Sequence, residues 1–145
     1  FKQKTAYEIL AWLEFRRVLF RSNFNDSLLN WDTSKVTDMF QMFRYTRSFN
    51  QDISHFDVSN VETMHQMFYD SKLFNQDIDG WNVQKVTNTY SMFLRATAFN
   101  QCLSSWPAAT DGNLVTSKYM FDSTSCAITT LSETGPWCRD MDCGL

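Results

Sequence analysis

The sequence predicts an α/β repeat solenoid built from coils of 25 residues, each a short strand followed by a short helix. Three observations carry that expectation. First, Phe49 to Leu73 reads FNQDISHFDVSNVETMHQMFYDSKL and recurs from Phe74 as FNQDIDGWNVQKVTNTYSMFLRATA. Looser copies start at Phe24 and Phe99, so the starts fall at 24, 49, 74 and 99. A fixed period in the range of roughly 20–50 residues marks stacked units in place of one closed core. Second, apolar residues keep their place in each copy, giving Phe24, Phe49, Phe74 and Phe99 in one column and Leu28, Ile53, Ile78 and Leu103 in the next. Third, Val61, Met64 and Phe68 follow an i, i+3, i+7 spacing that fits one face of a short helix.

The remaining columns extend the core. Trp31, Phe56, Trp81 and Trp106 form one, Val36, Val61 and Val86 another, and the pairs Met42-Phe43, Met67-Phe68, Met92-Phe93 and Met120-Phe121 close each copy. Stacked columns bury together what no 25-residue unit can bury alone. Asn25, Asn50, Asn75 and Asn100 form a polar column, expected to be a ladder of amides bonded to one another and to backbone. Asn25-Asp26-Ser27 also matches an N-glycosylation pattern. Its place in the ladder column assigns it a structural role.

FNQDIS, a Trp seven residues after the Phe, V-x-x-M and the Met-Phe pair together resemble the BspA-like leucine-rich repeats and the related mycoplasma lipoprotein-associated repeats. The likeness covers roughly residues 24–121. It implies leucine-rich-repeat-like coils on a secreted or cell-surface protein, serving adhesion or binding. It brings no catalytic residues with it.

Residues 1–22, FKQKTAYEILAWLEFRRVLFRS, share nothing with the repeat. They read either as an amphipathic capping helix or as a non-native segment, since KQKTAYEI and LEFRRVLFRS are similar to a translated sequencing adapter. The second reading is favoured, because both adapter-like pieces occur in the correct order. Residues 23–131 form the repeat array. Within it strands are expected around Asp52-Ile53-Ser54 and its equivalents, and helices from near Val61 to Tyr69. The array as far as residue 98 holds one glycine, Gly80, and no proline, leaving bends to Asn, Asp and Ser. Pro107 to Asn113 is expected as a surface loop that delays Met120-Phe121 by three residues, and residues 127–131 as one further strand. Residues 132–145 are expected to be a cap or linker of a longer chain.

The chain has 13 Lys and Arg against 16 Asp and Glu. Removing residues 1–22, with five basic and two acidic residues, leaves eight against fourteen, a net charge of −6. No basic surface remains to track a phosphate backbone, so nucleic acid is not an expected partner. No apolar run reaches the ~18 residues that a membrane-spanning helix needs.

Catalytic signals are thin. His55 and His65 occupy different columns, and no spacing supplies metal partners. Asp77-Ile78-Asp79-Gly80 places its glycine too early for an EF-hand, and Asn88 stands where a bidentate Glu is required. No phosphate-binding loop or nucleophile elbow is present. The chain is therefore read as no enzyme, with no cofactor and no metal.

One column stays bulky and flat while its chemistry varies: Phe40, His65 and Tyr90, flanked by Gln41, Gln66 and Ser91. It is the candidate partner-binding ridge, the plainer alternative being partial burial beside the methionine column. All four cysteines, Cys102, Cys126, Cys138 and Cys143, fall where the repeat loosens. Disulfides stapling a cap in an oxidising compartment are expected, with Cys102–Cys126 and Cys138–Cys143 the favoured pairs. Two functions follow as expectations. One is an extracellular or cell-surface module binding a protein or glycan. The other is a structural spacer, next to further repeats or domains of a longer chain, whose ligand binds elsewhere.

Overall fold

The computed structural model describes residues 23–110, 116–127 and 137–138. The α/β expectation is overturned. Among the described residues the one helix is α1, Trp106–Thr110, and there is no named strand, only isolated bridges. Neither the strands around Asp52-Ile53-Ser54 nor the helices from Val61 to Tyr69 form; both stretches are turns and irregular chain. The α/β repeat solenoid with leucine-rich-repeat-like coils is thus not this chain's architecture.

What stands in its place is a stack of turns in a 25-residue register. Parallel bridges join Asp38 to Thr63, Thr63 to Asn88 and Asn88 to Thr116. Beyond each bridge, alternate N–H groups have different partners. Those of Met39, Gln41, Phe43 and Tyr45 donate to the carbonyls of Thr63, His65, Met67 and Tyr69 in the next unit, at 2.8–2.9 Å. The N–H groups of Met42, Arg44 and Thr46 instead close local turns onto Met39, Gln41 and Phe43 at 3.1–3.3 Å. The next unit repeats the pattern against the third.

This alternation explains why the helical spacing made no helix. Gln41, Gln66, Ser91 and Tyr119 take φ of 52–60°, and Tyr45, Asp70, Arg95 and Ser123 take φ of 58–64°. A left-handed residue every fourth position interrupts an α-helix and turns the chain as a type II turn does. The apolar residues still point inward, because the turns keep Met64, Met67 and Phe68 on one side. All three are fully buried.

The core consists of ring columns. Phe24, Phe49, Phe74 and Phe99 stack at 5.7–6.0 Å between centroids. Phe43, Phe68, Phe93 and Phe121 stack at 5.4–5.7 Å. The two columns interlock where Phe68 meets Phe74 and Phe93 meets Phe99, each at 3.9 Å. A third column runs through Trp31, Phe56, Trp81 and Trp106 at 6.1–6.4 Å. The Trp81 and Trp106 indole N–H groups donate to the carbonyls of Ile53 and Ile78, each at 3.2 Å. That satisfies a donor which burial would otherwise leave unpaired.

The asparagine column is more directed than a mutual amide ladder. Each side-chain oxygen accepts the backbone N–H of the next asparagine: Asn25 from Asn50, Asn50 from Asn75 and Asn75 from Asn100, at 2.8–2.9 Å. Gln76 and Gln101 add a second donor to Asn50 and Asn75.

The stack ends differently from the expected loop. Pro107 lies in the first turn of α1, where its missing N–H costs nothing. Residues 111–113 of the expected loop and 128–131 of the expected strand lie outside the described residues, as does the segment 1–22. Trp137 pairs with Leu103 in an antiparallel bridge, with both N–H···O bonds made at 3.1 and 3.3 Å. Its ring lies edge-on against Trp106 at 6.4 Å.

The cysteine pairing differs from expectation. Cys126 is joined to Cys138, with Cα atoms 4.5 Å apart, so neither Cys102–Cys126 nor Cys138–Cys143 forms. Cys102 is also held in a disulfide. The reason is local. The Ser125 N–H donates to the Phe99 carbonyl at 3.1 Å, which seats Cys126 beside Phe99 and short of Cys102. The Leu103–Trp137 bridge then delivers Cys138 to that position.

Candidate aromatic interaction ridge

The bridge residues set the ridge. Asp38 and Asn88 each accept, through Oδ1, the N–H of the residue two places on, Phe40 at 2.6 Å and Tyr90 at 3.0 Å. Thr63 Oγ1 takes the His65 N–H at 3.4 Å. The carbonyls of His65 and Tyr90 accept from Gln41 and Gln66 of the preceding unit. His65 and Tyr90 are thus held on both sides of the Cα, and Phe40 at its N–H, before the side chains are considered.

The side chains of Phe40, His65 and Tyr90 come together. Phe40 and His65 meet edge to face at 5.1 Å, and His65 and Tyr90 lie tilted at 5.2 Å. All three are half-buried. Beside them, Gln41 Nε2 donates to Gln66 Oε1 at 2.7 Å. Burial, and then the nearby Arg44 charge, holds the His65 imidazole below its ordinary pKa. Its ring is therefore neutral at pH 7 and stacks as an aromatic would.

Two features were not expected from sequence. Tyr119 lengthens the row, meeting Tyr90 edge-on at 5.7 Å, and is 43% exposed. It belongs to the Gln41, Gln66 and Ser91 column, so the late arrival of Met120-Phe121 concealed it. Aligning on the Met-Phe pair is the signal that finds it. The second is a cluster around Arg44, whose guanidinium lies 4.6 Å from the Tyr45 ring centre and 5.0 Å from that of Tyr69. Arg44 Nη2 donates to the Tyr45 hydroxyl at 3.0 Å. Its buried Nε has no hydrogen-bond partner among the described residues.

Charge is fixed within the same turn segment by Asp70, a carboxylate only 5% exposed that binds Arg47 Nε and Lys72 Nζ, each at 2.8 Å. Burial opposes its ionisation, but the bonds from Lys72 and Arg47 and their charges outweigh that and lower its pKa. A carboxylate with a folded pKa below its unfolded value contributes stability present above the unfolded value, near 3.8, and lost as pH falls through the lower one. Asp70→Asn should accordingly cost about 1–3 kcal/mol at pH 7. In urea titrations from pH 7 to pH 2 that difference should shrink towards zero. A pH-independent difference would show that ionisation of Asp70 is not the source. By contrast, the Asp79 carboxylate of the rejected calcium loop is occupied by Ser104 and Ser105.

The repeat geometry coincides with a family match. A family model described as a mycoplasma protein of unknown function, DUF285, matches residues 14–133. The chain belongs to that family. No curated protein and no solved structure matches it. Among the described residues of this DUF285 chain, no helix is long and apolar enough to cross a membrane. The ridge, the Arg44 cluster and the asparagine column all lie inside the span the family shares.

Proposed function

We propose that this chain is a non-enzymatic binding module of an extracellular or cell-surface protein, related to the BspA-like surface proteins, which meets a protein or glycan through its aromatic ridge. The row Phe40, His65, Tyr90 and Tyr119 supports this most directly. Its rings lie 5.1–5.7 Å apart on backbone fixed by the stack. Aromatic side chains placed this way offer large contact area at low entropy cost, the composition that marks interface hot spots. The Cys126–Cys138 disulfide is consistent with an oxidising, extracellular setting.

Screening the full chain against a glycan array and a panel of immobilised extracellular proteins tests this reading. His65→Ala with Tyr90→Ala should weaken the bound feature by about tenfold or more. Because both side chains are half-buried, the thermal midpoint should move by no more than about 5 °C. Undiminished binding in a folded double variant would favour the spacer reading. Unfolding of the double variant would make the column core.

A further inference from the structure

Charge is divided between the two halves of each unit. The described residues carry seven Lys and Arg and ten Asp and Glu. Five of the seven cations, Arg44, Arg47, Lys72, Arg95 and Lys118, fall in the turn segments 39–48, 64–73, 89–98 and 117–126, which hold only Asp70 and Asp122 as acids. The remaining described segments hold eight acids and just Lys35 and Lys85 as cations. A chain that is acidic as a whole therefore has one side with an excess of two positive charges once Asp38, bonded to the Phe40 N–H, is counted, and the ridge lies on that side.

Those cations are not all neutralised. Asp70 takes Arg47 and Lys72, and no ion pair is formed by Arg44, Arg95 or Lys118 among the described residues. Arg44 and Lys118 instead lean on aromatic rings, Lys118 Nζ lying 5.0 Å from the centre of Tyr119. The two stand near opposite ends of the row. An unpaired cation held against a ring keeps its charge available to an incoming anion.

We propose that this face binds an anionic glycan of the polyuronate class, its sugar rings on Phe40, His65, Tyr90 and Tyr119 and its carboxylates met by Arg44 and Lys118. This rests on reading the ridge as a binding surface and narrows the ligand. Adjacent ring centres lie 5.1–5.7 Å apart, the scale of a pyranose ring. A pyranose presents an apolar face to a ring and polar edges to amides such as Gln41 and Gln66. The guanidinium of Arg44 has the planar donors that suit a carboxylate. The acidic half of each unit confines an anionic chain to this side of the stack.

Titration calorimetry of the full chain with polygalacturonate, a neutral β-linked glucan oligosaccharide and poly-uridylate tests the assignment. Polygalacturonate should bind at least about tenfold more tightly than either other probe, with affinity falling as salt rises. Arg44→Gln with Lys118→Gln should cost about tenfold or more, and so should His65→Ala with Tyr90→Ala. Should Arg44→Gln unfold the chain, Lys118→Glu, at an exposed position, carries the same test alone. Equal binding of the neutral glucan, or indifference to both charge variants, overturns the anionic assignment. The ridge reading survives that result provided the aromatic variant still loses binding. Tighter binding of poly-uridylate, or no binding of polygalacturonate, also overturns it.

Discussion

Phe68→Ala should destabilise the protein by about 3–5 kcal/mol, the cost of emptying a fully buried aromatic site. Phe68 has no exposed surface. It stacks on Phe43 at 5.4 Å and Phe93 at 5.5 Å, and meets Phe74 at 3.9 Å. The hole would open between two repeats at once, and neither neighbour can collapse into it without leaving its own column. Phe24 supplies the internal comparison. It is half-buried and stacks on Phe49, with no described unit on its other side. Phe24→Ala should therefore cost clearly less. Urea titration of both variants measures the difference, because stability in stacked repeats is a sum of unit and interface contributions. Equal losses at the two sites would mean that column stacking is not where the stability resides.

The second large effect is expected at the far end. Replacing Cys126 and Cys138 together by Ser should cost about 3 kcal/mol, the scale expected for releasing a loop of this length; the two cysteines are 12 residues apart. The loss has a structural focus. Trp137 is 3% exposed and Cys138 fully buried, and the bridge to Leu103 is short, so freeing the disulfide removes the covalent anchor beside Trp137 where it packs against Trp106. Its indole emission should shift towards that of solvated tryptophan while far-ultraviolet dichroism changes little. Peptide mapping without reduction should recover Cys126 linked to Cys138. A Cys102–Cys126 peptide, or a variant as stable as the parent, would contradict this account of the end.

The inward columns were legible because burial acts on residue type at a fixed period, and Phe, Ile, Trp and Met recur at that period. Secondary structure was not. The spacing of Val61, Met64 and Phe68 suits a helix and a run of tight turns equally well in apolar content. What separates them is the left-handed backbone at Gln66 and Asp70, and neither residue advertises it as glycine would. In the ridge, the column of Phe40, His65 and Tyr90 could be read directly. Tyr119 could not, since it enters from the neighbouring column after an irregular stretch. The Arg44 cluster was missed for a different reason. Arg44 and Tyr69 share a column but differ in chemistry, so a search for recurring residue types passes over them. The disulfide required knowing that Cys126 stops beside Phe99.

Near-identity of the units has a price during folding. Phe-Asn-Gln-Asp-Ile occurs at both 49–53 and 74–78, so a chain that pairs one unit too far along satisfies its Phe and Asn columns almost as well as the native arrangement does. The ring core cannot detect such a slip. Discrimination falls to links that do not recur from unit to unit: Arg47 with Asp70, Ser105 with Asp79, and Cys126 with Cys138. Of these only the last is covalent. The terminal disulfide thus acts as an index mark that seals the native alignment at one end of the stack, while misaligned non-covalent pairings remain free to unzip and pair again.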